Sequence, residues 1–345
     1  MCTYYTTYTA YQYLQRTTKA AHIFPATQYD IMKGMNTLFN DEQEELNTMH
    51  IRVIGAPMDL GADRRGVDMG ASAIRYAGLH ERLQQLGFTI SDAGNIAIAQ
   101  PESKPEGNPH LKYLEPIVSA SEELSRLVTQ TLQSNEFPLI LGGDHSIALG
   151  SISGVARVHK NVGVIWVDAH ADFNNEQTTP SGNIHGMILA ALAGVGEGRL
   201  VDVGGWSPKI QKDTIVIVGA RDLDGGEQKL LHANNIHVFT MSDIDQNGMS
   251  AIMQQAIAIA SQHDNPIHLS LDLDALDPRE APGVGTPVRG GLSYREAHLA
   301  MEMIANSHRL VSMDAVEVNP ILDRENTTAL LAVELIQSAL GKKIL

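Results

Sequence analysis

Acidic and imidazole side chains recur in this chain directly after short apolar runs. Phe137–Leu141 is followed by Gly142-Gly143-Asp144-His145-Ser146, and Val162–Val167 by Asp168-Ala169-His170-Ala171-Asp172. The run His268–Leu273 holds Asp272 and is followed by Asp274 and then Asp277-Pro278. Thr214–Gly219 leads to Arg221, Asp222, Asp224 and Glu227, and Leu310–Val318 carries Glu317 ahead of Asn319-Pro320. Residues two apart on an extended chain point to the same side. Asp168, His170 and Asp172 can therefore converge, as can Asp272 and Asp274. Four carboxylates crowded together without cations repel one another. A pair of divalent metals resolves this, because four Asp charges balance two ions while His145 and His170 complete the shells. Asp168 and Asp272 are the carboxylates expected to bridge the ions, at the roughly 3.5–4 Å spacing of two-metal sites. Oxygen-rich ligation with two imidazoles suits Mn²⁺ best, and Fe, Co, Ni or Zn are conceivable. A lone D-x-D is ordinarily a solvated turn and a lone His ordinarily structural. What separates these residues from that reading is their shared place at the ends of apolar runs.

The runs themselves read as strands buried on both faces. Ile51–Pro57 and Ile236–Thr240 add two more. Between them lie helical stretches: Ala71–Gly87, Met249–Gln262, Ser293–Ser307, Asn326–Lys342, and Glu115–Ser134, where Val118, Leu124, Leu127, Val128 and Leu132 keep helical spacing. Alternation of this kind predicts one α/β domain around a mainly parallel sheet. Such sheets bind ligands at the carboxyl ends of their strands, which is where the acids and imidazoles fall.

Composition narrows the classes. Of 345 residues 43% are hydrophobic and 19% charged, which excludes disordered, collagenous and coiled-coil chains. Lys and Arg number 25 against 40 Asp and Glu, and a net charge of −15 repels phosphate backbones, so nucleic acid is not an expected partner. The one cysteine, Cys2, excludes a disulfide framework and a cysteine metal cage. No apolar run approaches the roughly 20 residues of a membrane span, so no membrane partner is expected. Six of the nine tyrosines precede position 30 and the first glycine is Gly34, which sets residues 1–48 apart from the rest. Three readings of that extension compete: an appendage or over-extended start with Met49 as the alternative, a structured extension packing on a neighbouring subunit, or an organelle-targeting segment. The expected location is cytoplasmic, with organelle targeting by residues 1–48 as the alternative.

The segments LGGDHSIALG, WVDAHADFN, LSLDLDALDP and DAVEVNP occur in that order, and the chain resembles the ureohydrolases, most closely the bacterial arginases. RRGVDMGASAIRYAGL and APGVGTPVRGGLSYREAHLAMEM are similar to the same family. The resemblance spans essentially Ile51–Leu345 and leaves residues 1–48 outside, so 49–345 is the expected catalytic domain. It implies a three-layer α/β/α sandwich with a central, mainly parallel sheet. It implies two Mn²⁺ per subunit, one on His145, Asp168, Asp172 and Asp272, the other on Asp168, His170, Asp272 and Asp274. It implies hydrolysis of L-arginine to L-ornithine and urea by a bridging hydroxide that Asp172 orients. Glu317 would pair with the planar guanidinium, and His185 would shuttle a proton to the leaving amine. A homo-oligomer, trimer or hexamer, is implied as well.

The tail of the substrate decides among ureohydrolases. The segment 174–183 resembles the arginase carboxylate loop, with Asn174, Ser181 and Asn183 on the α-carboxylate and Thr179 assisting. Asp224 matches the residue facing the α-amino group, supported by Asp222 and Glu227. Thr286, within APGVGTPVRGG, joins this substrate-binding set. Without that context the segment reads as an ordinary polar loop of turn-forming residues. Ala171 and Ala275 depart from common arginase patterns without removing a ligand. Phe173 and Asn175 leave tail selectivity open. The alternatives are a ureohydrolase for agmatine, guanidinobutyrate or guanidine, a single-zinc deacetylase of related fold, and a non-catalytic subunit.

Overall fold

Short runs of aliphatic and β-branched residues, bounded by polar or glycine-bearing segments, form the strands as expected. The computed structural model describes residues 49–343, and the readings of the N-terminal extension lie outside the described residues. The main strands are β1 (His50–Ala56), β2 (Thr89–Asn95), β3 (Phe137–Gly142), β4 (Gly163–Val167), β5 (Ile215–Ala220), β6 (His237–Thr240), β7 (Ile267–Asp272) and β8 (Leu310–Val316). They form one sheet in the order β2-β1-β3-β8-β7-β4-β5-β6, with every pairing parallel. Gly107–Asn108 and Leu111–Lys112 make a separate small antiparallel ribbon.

Parallel neighbours need crossovers, and here helices supply them. The main ones are α1 (Gly70–Tyr76), α2 (Leu79–Gln84), α3 (Leu114–Gln133), α4 (Ala148–Val158), α5 (Ile188–Leu192), α6 (Gly225–Asn234), α7 (Met241–Asn247), α8 (Met249–Ala260), α9 (Tyr294–Asn306) and α10 (Thr327–Ala339). Side-chain alternation along the strands splits the interior in two. On β4, Ile165 and Val167 face a core shared with α1, α2, α8, α9 and α10. Val164 and Trp166 face the opposite core, shared with α3, α4 and α5. The three layers follow from that parity, as the family resemblance implied. Among the described residues no helix is long and apolar enough to cross a membrane.

The expected helix Ala71–Gly87 is two helices, broken at Gly78, whose φ of 86° no helical residue adopts. β2 escapes sequence reading because it is a mostly polar, largely exposed edge strand, with no apolar run to mark it. α4 escapes for the opposite reason. Residues 148–156 are buried on all sides, so no exposed charged face marks them as a helix. Its Gly150 and Gly154 let the backbone of α3 come close: a Cβ on either would sit 2.7 Å from the carbonyl oxygen of Ser121 or Ser125.

Candidate metal centre and active site

The sheet order turns sequence separation into proximity. β3, β8, β7 and β4 are consecutive neighbours, and at their carboxyl ends stand His145, Glu317, Asp272 with Asp274, and Asp168 to Asp172. The chain leaves β3 and re-enters the sheet at β4 with β8 and β7 between them. Open α/β sheets place their ligands at such a switch point.

His145 Nδ1 lies 3.0 Å from Asp168 Oδ2, 3.2 Å from Asp172 Oδ2 and 3.2 Å from Asp272 Oδ2. It makes a hydrogen bond to nothing among the described residues. Its Nε2 is 2.9 Å from Ser270 Oγ. In the neutral tautomer that donates Nε2–H to Ser270, Nδ1 carries a lone pair facing three carboxylate oxygens, an arrangement that calls for a cation between them. Donors of that kind, all buried, fit a divalent cation and little else. A second group forms beside it, with His170 Nδ1 3.3 Å from Asp168 Oδ1 and 3.1 Å from Asp274 Oδ2. His145, Asp168 and Asp272 can hold one ion and Asp168, His170 and Asp274 another. Asp168 belongs to both groups, the place of a bridging carboxylate, whereas Asp272 falls in the first and Asp172 stands against its imidazole.

Crowding shows in the proton affinities of these side chains. Burial, then the charge of Asp168, pushes the Asp172 carboxyl well above its ordinary range. Burial, then Asp274, does the same to Asp272. Burial also works against ionised Asp168, but His145 and His170 outweigh it and hold that carboxyl well below the usual range. For His145 burial lowers the pKa, yet Asp168, Asp172 and Glu317 carry it up to about 8. These are the repulsions that two cations would relieve.

Asp168 and Asp274 are oriented by neighbours outside the expected site, and Asp272 by the backbone of Asp274. Trp166 Nε1 donates to Asp168 Oδ2 at 2.9 Å, and its ring stacks on His145 with centroids 3.9 Å apart. The backbone N–H of Ala169 donates to Asp274 Oδ1 at 3.1 Å, and that of Asp274 to Asp272 Oδ1 at 2.7 Å. Asp144 accepts from the N–H groups of Gly61, Ala62 and Ser146 at 2.7, 3.0 and 3.0 Å, tying the residue before His145 to the loop after β1. Only Asp144 carried a sequence signal, its place in GGDHS.

Glu317 Oε1 accepts from the backbone N–H of His145 at 2.9 Å and lies 3.3 Å from His185 Nδ1. Its Oε2 is buried and meets no hydrogen-bond partner among the described residues. Both Asp172 and Glu317 have positive φ, 49° and 65°, a conformation non-glycine residues rarely adopt and which concentrates at functional sites.

The residues expected to read the substrate tail form local contacts. Asn174 Nδ2 donates to Asp224 Oδ2 at 3.0 Å, and Asn174 Oδ1 accepts from Thr178 Oγ1 at 2.9 Å. Ser181 Oγ accepts from Asn183 N–H at 3.2 Å and Thr179 Oγ1 from Gly182 N–H at 3.0 Å. Asn183 Nδ2 donates to Ala62 O at 2.9 Å, while its buried Oδ1 meets no partner among the described residues. Glu227 Oε1 accepts from the N–H of Phe173, next to Asp172, at 2.9 Å. Thr286 Oγ1 donates to Asp274 Oδ2 at 3.0 Å, so it reaches the Asp168–His170–Asp274 group directly. Asp222 is exposed, and only its backbone N–H is engaged, on Ala169 O.

The sequence profile described as the arginase family matches residues 49–341. The chain belongs to the arginase family. It is 55% identical over 296 residues to the arginase of Brevibacillus brevis, covering 86% of this chain and 99% of that protein. The native crystal structure of arginase from Bacillus caldovelox is 51% identical, with a TM-score of 0.84 over 86% of this chain and 100% of that one. Arginase from Entamoeba histolytica, solved in complex with L-ornithine, is 32% identical, with a TM-score of 0.77 over 86% of this chain and 99% of that one. The chain is thus an enzyme, a hydrolase of the arginase family, and the all-parallel sheet with helices on both faces is that family's fold.

Proposed function

We propose that this arginase-family chain hydrolyses L-arginine to L-ornithine and urea on a pair of Mn²⁺ ions, with residues 49–345 as the catalytic unit. The observation that carries the reading is the buried His145 Nδ1, without a hydrogen bond and 3.0–3.2 Å from carboxylate oxygens of Asp168, Asp172 and Asp272. His145, Asp168, Asp172 and Asp272 would hold one ion, and Asp168, His170, Asp272 and Asp274 the other. Bound there, the ions supply Lewis acidity and lower the pKa of water towards about 7.

The remaining work falls to side chains. Glu317 offers its unpartnered Oε2 to the guanidinium, whose fork of donors matches a carboxylate. His185, held against Glu317 Oε1, has its pKa lowered by burial but raised overall by that carboxylate, so it keeps a proton to deliver to the leaving amine. Asp172 accepts a hydrogen bond from the attacking oxygen and orients it. Asn174, Ser181 and Asn183, with Thr179, receive the α-carboxylate, and Asp224, Asp222 and Glu227 the α-ammonium. Thr286 steadies Asp274 from the substrate side. The L-ornithine complex of the Entamoeba histolytica relative supports an amino-acid tail rather than a bare amine.

The test is urea release by metal-stripped protein given Mn²⁺ and, in parallel, L-arginine, agmatine, guanidinobutyrate and guanidine. Urea from arginine alone, dependent on added metal, is the expected result. Equal or faster release from one of the others would make the chain a ureohydrolase of different specificity on the same residues.

A further inference from the structure

Arg221 stands just past β5, and nothing in the reaction above uses it. It nevertheless touches both segments that carry the Asp168–His170–Asp274 group. Its backbone N–H donates to Ala169 O at 2.8 Å. Its guanidinium donates to the backbone carbonyls of Asp274 at 2.6 Å, Ala275 at 3.0 Å and Leu276 at 3.2 Å, and to Val288 O at 2.8 Å on the loop that presents Thr286. A Cβ on Gly291 would come within 2.5 Å of its Nη2, so the same loop closes directly on the guanidinium. All these acceptors are backbone oxygens. Burial works against the charge, and the nearby carboxylates, Asp274 foremost, sustain it. A planar fork of five donors in fixed directions suits several carbonyls at once, which a lysine ammonium does not reproduce.

Asp274 is consequently fixed at three points: Oδ1 by Ala169 N–H, Oδ2 by Thr286 Oγ1 and its own carbonyl by Arg221. We propose that Arg221 is a positioning residue for the ion site formed by Asp168, His170 and Asp274. It joins the strand-end segment 168–170 to the turn 274–276 and so sets the gap between His170 and Asp274, 3.1 Å in this structure. It touches neither metal nor substrate. The inference rests on the two-metal reading above.

The experiment compares wild type with Arg221→Lys and Arg221→Met. Metal-stripped proteins are titrated with Mn²⁺ by calorimetry, followed by electron paramagnetic resonance, and melted without metal as a control. Wild type should take up two ions and give an exchange-coupled signal. In Arg221→Lys one binding step should weaken by about 10–100-fold, as when an outer partner of a ligand is lost, and the other should hold within about threefold. The coupled signal should then need correspondingly more Mn²⁺, while KM for arginine at saturating metal stays within about twofold. Arg221→Met should show the same selective loss or a larger one, and if it does not fold the Lys variant decides alone. Parallel weakening of both steps, unchanged binding in both variants, or failure of Arg221→Lys to fold would overturn the inference. Fewer than two Mn²⁺ bound by wild type would instead overturn the metal reading beneath it.

Discussion

His185 Nδ1 and Glu317 Oε1 stand 3.3 Å apart, and the other oxygen of that carboxylate meets no partner among the described residues. One buried acid therefore faces an imidazole with one oxygen and keeps the second free. Burial pulls the His185 pKa down, and the hydrogen bond and charge of Glu317 outweigh it, leaving it above the ordinary 6.5. In Glu317→Gln the shape stays and the charge goes, so burial should dominate and His185 should titrate below 6.5. Imidazole resonances of the metal-free protein, followed by NMR against pH, read this directly. A His185 pKa that stays put would mean that Glu317 does not hold its proton.

Removing metal should abolish urea release and Mn²⁺ should restore it. Asp168 belongs to both ion groups and Asp274 to one. Asp168→Asn should therefore lose both ions, while Asp274→Asn should retain one, as measured by metal analysis after dialysis. The activity loss at Asp168 should exceed the about 10–100-fold that follows from disturbing an outer partner. Equal stoichiometry in the two variants would remove Asp168 from the bridging place.

How legible this site was depended on what kind of residue carried it. The candidate ligands are legible because ionisable residues at the ends of apolar runs are costly unless used. Trp166 did not, because a tryptophan on an all-buried strand looks like core whichever atom it points at a carboxylate. Arg221 was visible as a polar residue after a strand, but four of its acceptors are carbonyls of residues 53 to 67 positions away, and no spacing rule finds those. In the fold, buried parallel strands were readable from apolar runs. The polar edge strand β2 and the all-round buried helix α4 were not, since one lacks an apolar run and the other lacks an exposed polar face.

Trp166→Phe keeps an aromatic ring against His145 and deletes the donor to Asp168 Oδ2. A buried carboxylate left short of a partner costs about 1–3 kcal/mol. The metal-free variant should unfold at lower denaturant by that order. Mn²⁺ affinity should fall by about tenfold as the Asp168 carboxylate loses its orientation. Unchanged affinity with lowered stability would make Trp166 a core residue only.

Glu227 is buried, and burial chiefly raises its pKa from 4.5 to about 7 in the metal-free protein. Between those values the unfolded chain has released a proton that native Glu227 keeps. Stability from this group is thus full below pH 4.5 and lost as pH rises to about 7, by at most about 3 kcal/mol. Glu227→Gln retains an oxygen for the Phe173 N–H and cannot ionise. Denaturation of the metal-free variant should show a flatter decline across that window and greater stability than wild type at about pH 8. A wild-type profile unchanged by the substitution would mean that Glu227 titrates normally.

Asn183 tests which part of the substrate the loop reads. Arginine and agmatine share the guanidinium and the methylene chain and differ by one carboxylate. Asn183 Nδ2 has two protons, and Ala62 O takes one at 2.9 Å, leaving the other for an acceptor outside the described protein groups. A hydrogen bond from it to a carboxylate is worth about 1.5–3 kcal/mol. Asn183→Ala should accordingly lower kcat/KM for arginine by about ten- to a hundredfold. Agmatine lacks the acceptor, so its already poor rate should barely change. Mn²⁺ stoichiometry should stay at the wild-type value, because no ligand is touched. Asn183→Asp sharpens the contrast, since it sets a like charge against the arginine carboxylate while leaving agmatine unopposed. Discrimination between the two substrates, about 10⁴-fold or more for a site built around a buried polar group, should shrink in both variants and further in the aspartate. If both substrates lose equally, Asn183 acts by tying the loop to Ala62 and the carboxylate is read elsewhere.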